Sequence, residues 1–283
     1  MTMIKKALLT ALSATMLLTG CVTTQFPIET AHQAQGQSER IEYIVLHYTA
    51  EDDQNSLEVL TTGRVSSHYL IPSGTDPRIY QLVEDHKKAW HAGMSRFQGK
   101  SALNDISIGI EIVNEGVYQQ YLGSKNYLPP EAYVPYEPLQ IQKVAELLSS
   151  LIKKYDIKPT HIVGHSDIAP SRKIDPGAQF PWEYLYREHG IGAWYDEDDK
   201  DQFLMELNQV GMDAIPISQI KQELARYGYH INSSDEWDRA SRNVIYAFQL
   251  HFRPERLTGE MDAESLAILR ALNKKYHPDA LKF

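Results

Sequence analysis

Two histidines, an aspartate, a glutamate and a lysine occur in patterns suited to hydrolytic chemistry. His165 lies near the start of the run Gly164-His165-Ser166-Asp167-Ile168-Ala169-Pro170-Ser171-Arg172-Lys173-Ile174-Asp175-Pro176-Gly177, with Asp175 ten positions on and Lys173 between them. His47 ends an apolar run, Tyr43-Ile44-Val45-Leu46-His47. Two imidazoles and one carboxylate make a three-ligand set for Zn²⁺, with a fourth position left for a water or a substrate carbonyl. Glu111 is embedded in Ile108-Gly109-Ile110-Glu111-Ile112-Val113. A carboxylate in an apolar strand is costly unless paired, coordinated or functional, which makes Glu111 the candidate acid/base. The loop that carries Asp175 also carries Lys173, whose cation can meet a developing oxyanion. Taken singly, His47 reads as a satisfied core histidine and Lys173 as a surface lysine. Their combination is what points to chemistry.

These residues need a rigid frame. Ile41–Tyr48 is nearly continuously apolar, as in a strand buried on both faces. Further strands are predicted at 67–72, 78–83, 107–113 and 161–165, the second and third joined by a Gly/Pro/Asp turn. Residues 137–155 place Ile141, Val144, Ala145, Leu148, Leu151 and Ile152 at helical spacing. A shorter helix is predicted near 55–62, capped by Asn55 or Ser56. Strands alternating with helices, together with a hairpin, imply an α/β fold with a mixed β-sheet flanked by helices. After the acidic run Asp196-Glu197-Asp198-Asp199-Lys200-Asp201, read as a solvated surface segment, the pattern becomes helical at 217–227, 235–252 and 262–272. Three short helices make a small C-terminal bundle.

The 283 residues suffice for two domains. A net charge of −9 argues against nucleic acid as a partner, since phosphate binding needs clustered Lys and Arg. Lys5, Lys6 and the apolar stretch Ala7–Leu18 form a targeting segment too short to span a membrane as a mature helix. Leu18-Thr19-Gly20-Cys21 resembles a lipobox, so Cys21 is the candidate lipidation site. Cleavage there removes two lysines and no acid, moving the charge from −9 to −11. Cys21 is the only cysteine, which leaves neither a disulfide nor a thiolate ligand. The organisation expected is a lipoprotein signal peptide at 1–20, a flexible tether at 21–39, a catalytic domain at 40–198 and a helical domain at 199–283.

Five segments together resemble the second family of N-acetylmuramoyl-L-alanine amidases: Val45-Leu46-His47-Tyr48-Thr49, Ser67-His68-Tyr69, Ala89-Trp90-His91-Ala92-Gly93, Asn104–Glu111 and His165–Gly177. That family shares its fold with peptidoglycan recognition proteins and phage amidase lysozymes. The resemblance implies His47, His165 and Asp175 as zinc ligands, Glu111 as catalytic acid/base and Lys173 as stabiliser of the tetrahedral intermediate. It also places His68, Trp90, His91 and Asn104 along the substrate groove, where His68 and His91 either shape or hydrogen-bond the cleft or touch substrate. In the phage and animal relatives the third ligand is Cys and a Tyr shares the acid/base work. Asp175 and Glu111 fit the bacterial muropeptide-processing branch instead. Val244–Gln249 and Thr258–Ser265 resemble a three-helix peptidoglycan-binding module.

The activity implied is zinc-dependent hydrolysis of the amide between N-acetylmuramic acid, or its anhydro form, and L-alanine of the stem peptide, with one zinc per chain. Peptidoglycan and muropeptides are the expected partners. The lipobox, followed by Val22 where an Asp would resemble inner-membrane retention, implies an outer-membrane lipoprotein facing the periplasm of a Gram-negative cell, touching the membrane only through Cys21 and acting as a monomer. Two alternatives are a non-catalytic recognition module and a zinc peptidase cutting within the stem. The full residue set opposes the first, and the lack of a His-Glu-x-x-His helix opposes the second.

Overall fold

The computed structural model describes residue 26 and residues 29–278. Cys21 and the targeting segment lie outside these. The chain divides into two units at Ser38/Glu39. In the first, the described residues carry no helix or strand.

The second unit is built on a five-stranded sheet in the order β3-β2-β6-β1-β7. Its strands are β1 (Tyr43–Tyr48), β2 (Tyr69–Ile71), β3 (Tyr80–Gln81), β6 (Ser107–Ile112) and β7 (Ile162–Gly164). A separate hairpin, β4 (Arg96–Phe97) with β5 (Lys100–Ser101), lies between β3 and β6 in sequence. Neighbours pair in parallel except β2 with β3, so the sheet is mixed, as the sequence implied. Helix α1 (Asp53–Thr62) follows β1, and α2 (Pro138–Tyr155) precedes β7. Asp52 caps α1, accepting from the amide of Asn55, one turn earlier than the sequence pattern suggested. In α2, Ile141, Val144, Ala145, Leu148 and Leu151 join the same core as Ile108, Ile110 and Ile112 of β6. The single turn α3 (His165–Ile168) follows β7, so His165 opens a helix instead of ending a strand.

Helix α4 (Trp182–His189) has no counterpart in the sequence reading, because only Trp182 and Leu185 of its eight residues are buried. The acidic run is also more than a solvated segment. It opens α5 (Glu197–Val210), where Glu197, Asp198 and Asp199 suit the positive end of the helix dipole. Asp199 and Asp196 are tied by Lys274 (2.6 Å) and Lys275 (2.5 Å) to the last turn of the final helix. Helices α6 (Ile217–Tyr227), α7 (Arg239–Phe252) and α8 (Ala263–Tyr276) complete the helical part, with Asp238 and Asp262 capping the last two.

The core of the helical part is continuous with that of the sheet. Leu207, Leu224, Val244, Phe248, Leu266 and Leu272 belong to one continuous core with Val45, Leu46 and Ile110 of the sheet. Aromatic pairs carry that core across: Phe97 with Tyr229, Trp182 with His251, and Trp194 with Phe252.

Candidate active site

The parallel register sets Glu111 of β6 directly beside His47 of β1, both on one face near the strands' carboxyl ends. Open α/β sheets bind ligands at such ends. Strand β7 delivers His165 to the same edge, and the loop beyond α3 returns Asp175 to it. His47 Nδ1, His165 Nδ1 and Asp175 Oδ2 form a buried triangle with sides of 2.9, 2.9 and 3.0 Å.

The partners of these side chains fix which atoms face the centre. His165 Nε2 donates to the carbonyl of Ala92 (3.1 Å), leaving the Nδ1 lone pair aimed into the triangle. His47 is set by a longer chain. Ser107 Oγ donates to Leu103 O (2.7 Å) and accepts from His91 Nε2 (3.2 Å). His91 Nδ1 is therefore a bare acceptor for His47 Nε2 (3.1 Å), and His47 Nδ1 is bare as well. Two imidazole lone pairs and a carboxylate oxygen this close repel one another, and a shared cation removes the repulsion. Among the described residues, these three form the His/Asp/Glu/Cys group able to hold a metal ion. The donor set, two nitrogens and one oxygen without sulfur, fits zinc chemistry.

Electrostatics agree with this arrangement. Burial, with help from His165, lowers the His47 imidazole to about 4, so it is a neutral donor at neutral pH. Burial would raise the Asp175 carboxyl, but positive charge and hydrogen bonds from the two imidazoles, as when a proton takes the place of the shared cation, outweigh it and hold Asp175 well below the usual carboxylate range. Glu111 behaves oppositely: burial, reinforced by the Asp175 charge, pushes it well above the ordinary 4.5, with Lys173 partly opposing. Its Oε2 is shut from solvent and has no hydrogen-bond partner in the structure. We expect Glu111 in the metal-free protein to titrate above 4.5, and added metal to lower that midpoint, because a cation favours the ionised carboxyl. Carbon-detected NMR of the glutamate side chains measures both values. A midpoint at or below 4.5 without metal contradicts the environment described.

All five residues line one cleft of about 180 Å³, together with Trp90, His91 and Tyr48. A larger cavity of about 490 Å³, between Arg172 and His230, contains none of the five. Chemistry, not size, selects the smaller one.

The four residues expected along the groove separate. Trp90 lines the cleft, is 55% exposed and carries the Lys88 ammonium 4.3 Å above its ring. His91 reaches the cleft, but both its nitrogens are committed to the chain just described. His68 takes the hydrogen-bonding role and not the substrate-touching one, and Asn104 is a correction. His68 is fully buried, accepting from the amide of Gly109 (3.0 Å) and donating to Lys87 O (3.1 Å). Asn104 Oδ1 accepts from the amides of His91 (3.1 Å) and Ala92 (2.8 Å). Neither lines the cleft. Asn104 instead fixes the peptide whose side chain orients His47 and whose carbonyl orients His165. Gly109 escaped the sequence reading. A Cβ there would lie 2.4 Å from the His91 ring, so the ring needs a glycine beneath it. The signal was present: Ser107, Gly109 and Glu111 alternate on one strand face.

Residues 37–178 match the family model described as N-acetylmuramoyl-L-alanine amidase. The chain is also 42% identical to the N-acetylmuramoyl-L-alanine amidase AmiD of Escherichia coli (strain K12) over 279 residues, 94% of this chain and 97% of that protein. This chain belongs to the N-acetylmuramoyl-L-alanine amidase family. Residues 215–269 match a second model, a putative peptidoglycan binding domain, which covers α6, α7 and part of α8. Among solved structures, E. coli AmiD in complex with the substrate anhydro-N-acetylmuramic acid-L-Ala-D-γ-Glu-L-Lys superposes with a TM-score of 0.78 at 43% identity. That match covers 89% of this chain and 96% of AmiD. AmpDh3 of Pseudomonas aeruginosa, in complex with anhydromuramic pentapeptide, gives 0.79 at 38% identity, covering 90% and 99%. Among the described residues, no helix of this family member is long and apolar enough to cross a membrane.

Proposed function

We propose that this amidase hydrolyses the amide between the lactyl group of N-acetylmuramic acid, intact or anhydro, and L-alanine of the stem peptide, with zinc as its metal. The observation that carries the reading is the His47/His165/Asp175 triangle opening onto a cleft that also holds an unpartnered Glu111 and Lys173. The complexes of AmiD and AmpDh3 with anhydromuramyl peptides support the choice of substrate.

His47, His165 and Asp175 would hold the zinc. A bound zinc ion supplies Lewis acidity for the amide carbonyl and acidifies water to a pKa of about 7. The Glu111 carboxylate takes the proton of the attacking water and delivers it to the leaving amine of L-alanine. Lys173 offers its ammonium to the oxyanion that forms at the lactyl carbonyl. The exposed face of Trp90 provides a packing surface for sugar or peptide. Lys173→Met is expected to lower kcat by about 10²- to 10³-fold with little change in KM, as for loss of one oxyanion donor. An unchanged kcat removes Lys173 from the reaction.

The wider setting follows the same reading. Cys21, outside the described residues, carries the lipid that anchors the protein in the outer membrane, facing the periplasm. Residues 21–39 act as tether, 40–198 as the zinc amidase domain, and 199–283 bring a peptidoglycan-binding surface to the wall. The protein works as a monomer.

The test uses protein beginning after Cys21 and purified muropeptides, with and without a chelator, read by mass spectrometry. Free stem peptide plus peptide-free muramyl sugar, lost with chelator and restored by zinc, is the expected result. Cleavage inside the stem makes the protein a zinc peptidase. Binding without cleavage makes it a recognition module.

A further inference from the structure

The turn α3 carries more of the centre than His165. The amide of Ser166 donates to the carbonyl of Asp175 (2.9 Å), so two members of the donor triangle hang from one four-residue turn. A single turn has little stability of its own, since helix nucleation is unfavourable. Asp167 locks it. Its Oδ2 accepts from the amide of Gly164 (2.8 Å), closing the turn at its entry.

The other contacts of Asp167 come from the helical part. His251 Nδ1, on α7, donates to the same Oδ2 (2.8 Å). Tyr229, just beyond α6, donates its hydroxyl to Oδ1 (2.6 Å). All three side chains are at most 3% exposed. The His251 ring is held between Trp182 and Phe252, each 3.9 Å away, and Tyr229 packs edge-on against Phe97. A carboxylate this deep keeps its place only while its donors do. Losing either donor leaves Asp167 under-bonded and free to turn away from Gly164.

We propose that His251 and Tyr229 are positioning residues of the metal centre. Through Asp167 the helical part holds the turn that aims His165 and tethers Asp175. This rests on the reading of the triangle as a zinc site. The helical part is then an integral support of that site, in addition to any hold on the wall.

The experiment compares the wild type with Tyr229→Phe, His251→Leu, His251→Asn and Glu223→Gln. Each metal-free protein is titrated with zinc against a chromophoric chelator, and its melting temperature is recorded. Tyr229→Phe and His251→Leu are expected to weaken zinc binding about tenfold or more, the scale seen for outer-shell partners of metal ligands. His251→Asn, which can present an amide donor near the Nδ1 position, recovers most of that loss. Glu223→Gln weakens the ion pair to Arg270 (3.0 Å) inside the helical part. It lowers the melting temperature but leaves zinc affinity at the wild-type value. If Tyr229→Phe and His251→Leu also lower only the melting temperature, the contact is plain packing and the inference fails while the zinc site stands. A wild type that binds no zinc overturns the zinc reading, and this inference with it.

Discussion

Asp175→Ala is expected to abolish both metal retention and muropeptide hydrolysis, the latter by on the order of 10⁴-fold or more, because the acidified water that a bound zinc would supply is lost. The triangle depends on Asp175 for its only negative charge. Without it, two neutral imidazoles remain, and His47 loses the partner that opposes its desolvation. Asp175→Asn separates charge from shape. It keeps an oxygen acceptor at the same place but not the anion, and it should fail almost as completely. Elemental analysis of the purified variants gives the metal content, and mass spectrometry of digested muropeptides gives the turnover. Stoichiometric zinc and near-normal cleavage in Asp175→Ala would show that the metal sits elsewhere.

Glu111→Gln has the second largest expected effect, a fall in kcat of about 10²- to 10⁴-fold, the usual share of a general base. Zinc content stays at the wild-type level, because Glu111 is not part of the donor triangle. Removing an ionisable group whose buried Oε2 lacks a partner also relieves a desolvation cost, so the metal-free melting temperature does not drop. This combination distinguishes a lost base from a damaged fold. Hydrolysis at the wild-type rate would require another base in the cleft.

Much of this site was legible in the sequence, because strands constrain what they carry. His47 and Glu111 interrupt apolar runs, and polar groups at the ends of buried strands are costly enough to be noticed. His165, Lys173 and Asp175 lie within one short stretch of chain, so their proximity needed no long-range argument. What could not be read was direction. His68 and Asn104 sit in motifs near the cleft, yet their side chains point into backbone, one bonding Gly109 and Lys87, the other the His91–Ala92 peptide. A motif fixes neighbourhood, whereas the hydrogen-bond partner fixes the role. The acidic run that opens α5 misled for a related reason. Its stabilising lysines lie at the far end of α8, a separation invisible to local pattern. The shared core was equally hidden, since apolar helix faces do not reveal what they cover.

That shared core bears on how far the scaffold can be trimmed. Phe97, Trp182 and Trp194 are each almost fully covered, in part by Tyr229, His251 and Phe252 of the helical part. A protein cut before α5 would wet these rings together, and aromatic side chains bury about 150–250 Å² apiece. That figure is an upper limit, since Phe180 and Tyr195 still cover part of two of the rings, and it reaches the apolar patch of a few hundred Å² that soluble monomers commonly tolerate. A shortened amidase on this frame would clump unless those three rings were first exchanged for polar side chains.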